Sequence, residues 1–231
     1  MHGDREQRAV SAVHPDKAAM YGEFARVGHV LGNPLRLQLL DLLAQAERSV
    51  DDLAATAGAP VGNTSAQLRA LREAGLVVTR REGNRIYYRL AGPDVLELLT
   101  TLTRVAGHHA PAAERAAATY LGDTSTLDVV DRDELLGRLR DRRTLVLDVR
   151  PNAEYAAGHI SEARSMPLDE LATRLDDIPD DVEVIAYCRG PYCVYAPEAA
   201  RRLNAAGRRA RVLPGGWADW ALAGLPAETA A

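Results

Sequence analysis

The sequence predicts two domains, a mainly α domain followed by an α/β domain built on a parallel sheet. Three observations predict this. The chain has 231 residues, long for one compact domain and ample for two of roughly 100. Up to about residue 110 the apolar residues recur at helical spacing, interrupted by one paired β-type segment. From about residue 126 short β-type runs alternate with helical stretches, the pattern of strands joined by crossover helices. On this reading residues 1–16 are a flexible tail, 17–110 the first domain, 111–123 a helical connection and 124–231 the second domain.

Composition fits a globular chain, with 47% hydrophobic and 26% charged residues. No apolar run approaches the roughly 18 residues of a membrane span, so no membrane association is expected. The opening MHGDREQRAVSAVHPD carries acids and lacks the apolar segment of a signal peptide, and the cytoplasm is the expected location. The net charge of −4 is divided unevenly. Residues 60–91 concentrate Arg69, Arg72, Arg80, Arg81, Arg85 and Arg89 against only Glu73 and Glu82. A local basic face on an acidic chain suits a nucleic-acid-binding module joined to something else.

In the first half, Phe24, Val27, Val30 and Leu31 lead to Leu35, Leu37, Leu39, Leu40, Leu42 and Leu43, broken at Gly32-Asn33-Pro34. Asn33 can cap and Pro34 suits a first helical turn. A third helix begins after Ser49, with Asp51 and Asp52 favourably placed for its dipole, and Gly58 ends it. A fourth runs from about Val61 to Ala74, closed by Gly75. Val77–Arg81 and Arg85–Leu90 flank Glu82-Gly83-Asn84, a hairpin signature, and residues 93–120 read as one long helix. Helices followed by a basic hairpin are the layout of a winged helix-turn-helix.

LGNPLRLQLLDLLAQAERSVDDLA, NTSAQLRALREAGLV and RREGNRIYYRL, in that order, resemble the ArsR/SmtB family of homodimeric repressors over roughly residues 18–110. The resemblance implies a homodimer bound to double-stranded operator DNA, with residues 61–74 as the recognition helix in the major groove. Asn63, Thr64, Ser65, Gln67, Arg69 and Arg72 would lie on its DNA side, and Leu68 and Leu71 would face inward. Amides, hydroxyls and guanidinium groups are the types that bond base edges and phosphates. Arg81, Asn84, Arg85 and Tyr87 of the wing would contact backbone or minor groove. The metal sites frequent in this family are missing. The position of the Cys-x-Cys pair reads Arg48-Ser49-Val50-Asp51-Asp52-Leu53, and this half has no cysteine. Asp94 is followed two positions on by Leu96, and the adjacent His108 and His109 point about 100° apart on a helix. No metal and no other cofactor is therefore expected.

In the second half Cys188 directly follows the β-type run Val184–Tyr187 and precedes Arg189-Gly190-Pro191-Tyr192-Cys193-Val194 and a helix near Tyr195. Sites in parallel sheets sit at such strand ends. A strand-to-helix loop turns backbone N–H groups toward an anion. With Arg189 adjacent, these donors should lower the Cys188 pKa and make it a nucleophilic thiolate. The pair Cys188 and Cys193 would stay reduced in a reducing compartment.

Leu147-Asp148-Val149-Arg150-Pro151, Glu154–Ile160 and Pro214-Gly215-Gly216-Trp217 bracket this loop and resemble the rhodanese signatures over roughly residues 124–228. The resemblance makes Cys188 the persulfide-forming residue, with Arg189, Gly190, Tyr192 and Cys193 in its loop. Asp148 and Arg150 would form a supporting charged network. His159, Gly215, Gly216 and Trp217 would be structural, and Glu154 an arginine partner. Relatives of this fold that bind phosphate or arsenate need Cys-x5-Arg, where the arginine holds the oxyanion, but Val194 stands there. Two readings of Cys193 stay open, a resolving thiol that releases sulfide and leaves a disulfide or a small packing residue. The whole reads as a DNA-binding regulator, a repressor by family expectation, that senses thiosulfate, persulfide or polysulfide through a persulfide or disulfide at Cys188. The alternative is a sulfurtransferase with an attached autoregulatory DNA-binding domain.

Overall fold

A computed structural model describes residues 15–141 and 143–230. The tail assigned to residues 1–16 lies outside the described residues up to residue 14, and the first helix already begins at Pro15. That helix, α1 (Pro15–Leu31), is followed by α2 (Pro34–Leu43), capped by the Asn33 side chain, which accepts from the Arg36 backbone N–H. A short strand β1 (Arg48–Ser49) leads into α3 (Val50–Ala57), where the Ser49 hydroxyl accepts from the Asp52 N–H. Gly58, at φ 62°, ends α3 in the left-handed conformation that glycine adopts without strain. Next come α4 (Val61–Glu73) and the hairpin β2 (Val77–Glu82) and β3 (Arg85–Leu90). Glu82 pairs directly with Arg85, so the turn is Gly83-Asn84, one residue tighter than the sequence suggested. β1 pairs with β3, tying the start of α3 to the wing. Leu39, Leu40, Leu53, Leu68 and Leu71 form the buried centre of this half.

The long helix expected over 93–120 is two helices, α5 (Pro93–His109) and α6 (Pro111–Leu121). Pro111 supplies no N–H, and it forces Ala110 out of helical geometry, to φ −116° and ψ 96°.

The second half runs α7 (Arg132–Arg138), β4 (Thr144–Asp148), α8 (Asn152–Ala157), β5 (His159–Ile160), β6 (Arg164–Ser165), β7 (Glu183–Tyr187), α9 (Tyr195–Ala205), β8 (Arg209–Val212), α10 (Gly216–Leu222) and β9 (Ala227–Glu228). The strands form a parallel sheet in the order β6-β4-β7-β8, with a small β5–β9 pair beside it. The β-type run at 126–130 contributes only a bridge from Val129 to Val212. Residues 169–174, whose sequence reads as a helical stretch, form a series of turns.

The two-residue period of β7 sorts its side chains between two cores. Val184, Ala186 and then Cys188 face α9, packing with Ala196, Ala199 and Leu203. Ile185 and Tyr187 face the other layer, with Leu135 and Trp220. The pleat therefore delivers the Cys188 sulfur to the start of α9. The two halves also touch, α10 packing against α5.

Candidate functional site

In the first half, α4 exposes Asn63, Arg69 and Arg72 and leaves Ser65 and Gln67 half-buried. Gln67 is already oriented. Its carbonyl oxygen accepts from Arg36 Nη1 at 2.8 Å and its amide donates to Asn63 Oδ1 at 3.1 Å. Leu68 and Leu71 are fully buried. Thr64 corrects the sequence reading, because it is 0% exposed and cannot reach DNA from this position. It lies four residues before Leu68 and so shares its inward face. On the wing, Arg81, Asn84 and Arg85 are exposed and Tyr87 is half-buried under the Arg80 guanidinium, 4.9 Å from the ring centre. Arg80 is held by Glu47 at 2.6 Å and Glu82 at 2.5 Å.

In the second half, Asp148 is fully buried and accepts from Arg150 Nη2 and from the Tyr187 hydroxyl, both at 2.6 Å. Burial and this carboxylate push the Tyr187 phenol well above its ordinary pKa. Arg150, also fully buried, donates to the Gly158 carbonyl at 2.7 Å and lies over the Trp217 ring. His159 stacks on Tyr155 at 3.7 Å. The glycines of the 214–217 segment serve the loop. Gly216 has φ 57°, and a Cβ there would stand 2.3 Å from the Cys188 carbonyl oxygen. The N–H groups of Trp217 and Ala218 donate to the carbonyls of Cys188 and Arg189 at 2.8 and 3.0 Å.

The loop cradles two sulfurs. Cys188 is 2% exposed, and backbone N–H groups of Ala196 and Gly190 point at it. Its thiol donates to the Cys193 carbonyl at 3.5 Å. Cys193 is half-buried and receives backbone N–H groups from Tyr195 and Arg189. The expectation of an acidified Cys188 is corrected. Burial above all pushes its thiol well up, and the neighbouring Cys193 side chain adds to the rise. Donation from Cys188 instead draws Cys193 down to about 7. Arg189 does not supply the cation foreseen for Cys188, because its guanidinium is turned to Glu154 with bonds of 2.6, 2.9 and 3.1 Å. Of the two thiols, the more accessible Cys193 is the more acidic.

Sequence reasoning missed what joins the halves. Glu154 is fully buried and also accepts from Arg48 of β1 at 2.5 Å. Arg150 donates to Gln45 Oε1 at 3.2 Å. The Tyr192 hydroxyl donates to the Thr103 carbonyl on α5 at 3.3 Å, over Gly107, where a Cβ would come 2.7 Å from it. No spacing rule connects residues about a hundred positions apart, although an arginine before α3 and a glycine within α5 were visible. Among the described residues, no group of three or more His, Cys, Asp or Glu is arranged to hold a metal ion, and no helix is long and apolar enough to cross a membrane.

Comparison with known proteins matches residues 33–79 to the bacterial regulatory protein arsR family and residues 131–223 to the rhodanese-like domain. The chain is 47% identical over 215 residues to the HTH-type transcriptional regulator Rv0324 of Mycobacterium tuberculosis, covering 93% of this chain and 94% of the relative. It is 36% identical over 98 residues to a sulfurtransferase of Allochromatium vinosum, covering 42% of this chain and 91% of that protein. Among solved structures it is similar to the homodimeric winged helix-turn-helix DNA-binding domain Mb0332 of Mycobacterium bovis, at 47% identity and a TM-score of 0.40, over 43% of this chain and 93% of that one.

Two predictions follow from this geometry. The Thr64 hydroxyl is buried without a hydrogen-bond partner among the described residues. Thr64→Val should therefore raise stability by about 1 kcal/mol, read as a higher urea midpoint, and a lowered midpoint would refute the inward assignment. Cys193 is charged above about 7 and neutral below, so its alkylation by iodoacetamide should rise with pH around a midpoint near 7. Cys188 should label slowly at every pH below that of a free thiol. Peptide mapping reads both, and Cys188→Ser should move the Cys193 midpoint upward.

Proposed function

The chain belongs to the family of HTH-type transcriptional regulators that join an ArsR-type DNA-binding domain to a rhodanese-like domain, and we propose that it reports reactive sulfur to DNA through the Cys188–Cys193 pair. The observation that carries the proposal is the buried Glu154, which holds Arg189 of the thiol loop and Arg48 of the DNA-binding half at once.

The chemistry needs no further residue. The thiolate of one cysteine attacks a sulfane sulfur of a persulfide or polysulfide, which gains a bond to the protein as its own S–S bond breaks and a thiolate departs. The second cysteine then loses its proton and attacks the modified sulfur. A Cys188–Cys193 disulfide forms and the transferred sulfur leaves as sulfide. The two cysteine sulfurs are oxidised and the sulfane sulfur is reduced. Disulfide closure draws Cys193 onto Cys188 and redirects the backbone of Arg189 between them. Arg189 then shifts its hold on Glu154, and Arg48 passes the change to β1, the wing strand β3 paired with it, and α3. Regulation requires the two states to differ in DNA affinity.

The protein acts as a homodimer on a two-fold operator. Supporting this, Tyr21 and Phe24 on α1 and Leu98 and Val105 on α5 are exposed apolar side chains on the helices outside the reading head. The recognition helix α4 enters the major groove with Asn63, Ser65, Gln67, Arg69 and Arg72. Arg81, Asn84, Arg85 and Tyr87 lie along the flanking backbone. A second reading, turnover as a sulfurtransferase, draws on the 36% identity over 98 residues to a protein of that name. Steady turnover with cyanide or a thiol acceptor, indifferent to operator DNA, would favour it.

The test is operator binding by fluorescence anisotropy at fixed salt, with and without inorganic polysulfide. Treatment should weaken binding of the wild type by about tenfold or more, a coupling of roughly 1–3 kcal/mol, and leave Cys188→Ser unchanged. Equal loss in both proteins would overturn the assignment of the sensor. Arg48→Ala should still bind DNA and still form the disulfide by mass spectrometry, but its binding should respond several-fold less to treatment. A full response in Arg48→Ala would exclude the Glu154 route while leaving the thiol pair in place.

A further inference from the structure

Both sulfurs open on a cavity of about 140 Å³ whose walls include Leu121, Leu127, Val129, Pro197 and Leu213. Apart from the two thiols themselves, no lining side chain carries a charge. Arg189, the cation nearest in sequence to the thiols, does not line this cavity; it is tied to Glu154 and lines the neighbouring cleft that Cys193 also borders. Arg150 is likewise consumed by Asp148. An oxyanion brought here would lose its hydration without gaining a cation, which costs several kcal/mol. The volume is close to that of apolar protein cavities that take up a benzene-sized guest.

We infer that the substrate class of this thiol pair is an uncharged organic polysulfide carrying short apolar groups, not thiosulfate or another sulfur oxyanion. The inference rests on the sulfur-sensing reading given above and specifies its ligand. Dimethyl trisulfide shows how the step balances. The thiolate attacks a methyl-bearing sulfur, a protein–S–S–CH3 bond forms, and CH3SS⁻ leaves and takes up a proton. The second cysteine gives its proton to solvent and attacks the protein sulfur, displacing CH3S⁻. Two cysteine thiols become one disulfide, and the trisulfide is reduced to methanethiol and methyl hydropersulfide. Leu121, the last residue of α6, forms part of the wall, so the cavity is completed by the connection from the DNA-binding half.

The test measures the rate of Cys188–Cys193 disulfide formation in the full chain, by mass spectrometry after acid quench. Two probes are used, dimethyl trisulfide and tetrathionate, a dianion that also oxidises thiols through its S–S bonds. Each rate is divided by the rate of the same probe with free cysteine, which removes intrinsic reactivity. The normalised preference for dimethyl trisulfide should be at least about tenfold, the penalty of dehydrating a charge in an apolar cavity. Val129, 56% exposed, accepts a lysine without disturbing the fold. Val129→Lys should slow the trisulfide and speed tetrathionate, closing the preference several-fold. Equal normalised rates, or a preference for tetrathionate, would overturn the substrate class while leaving the sulfur-sensing reading intact. Failure of both probes to close the disulfide would overturn both.

Discussion

The structure depends on one buried carboxylate, that of Glu154. It is fully enclosed and receives Arg189 from its own domain and Arg48 from the other. A carboxylate without either partner would be an uncompensated charge in the interior, at a cost of about 3–5 kcal/mol. The domains are therefore held in one arrangement by a group that neither could leave bare. The two arginines are not equal partners. Arg189 makes three hydrogen bonds to Glu154, while Arg48 makes one, and its Nε is buried without a partner among the described residues. The contact to the DNA-binding half is the weaker side, so a disturbance of the loop is released there first.

The same carboxylate explains the character of the thiols. A free guanidinium beside Cys188 would stabilise a thiolate on it and attract anionic donors. Glu154 removes that cation, and Cys188 sinks into the α9 core as a protonated thiol. The lower pKa falls instead to Cys193, which the Cys188 side chain, the backbone N–H groups of Tyr195 and Arg189 and the Arg189 charge all favour as a thiolate. Two thiols that face one cavity without a lining cation are suited to closing a disulfide and poorly suited to holding a highly charged substrate.

Much of this was legible in the sequence because it is local. Asn33, Ser49 and Gly58 mark helix ends through their own side-chain or backbone chemistry, and each stands where it was placed. The motifs around Asp148 and Gly216 located the loop at the end of β7. Local rules failed where a competing constraint acted. Pro111 broke a helix that the apolar spacing carried through. Thr64 was grouped with its polar neighbours, yet its position four residues before Leu68 already set it inward. The acidity of Cys188 was misjudged because adjacency of Arg189 in sequence says nothing about where its guanidinium turns. The contacts of Arg48 with Glu154 and of Gln45 with Arg150 arise only from domain packing, and no periodicity encodes them.

That packing also accounts for the position of the connector. α6 could have been a featureless spacer, but Pro111 separates it from α5 and its last residue, Leu121, walls the thiol cavity. A single helix from 93 to 121 would fix the cavity wall rigidly to the core of the DNA-binding half. With a break at Ala110, α5 is bound to the loop through Tyr192 and Thr103, while α6 turns its last residue to the cavity. The loop is consequently gripped from three sides, by β1 through Glu154, by α5 through Tyr192 and by the end of α6. A change in the sulfur pair that moves the loop must be felt by at least one of these elements, because all three belong to, or lead directly from, the half that reads DNA.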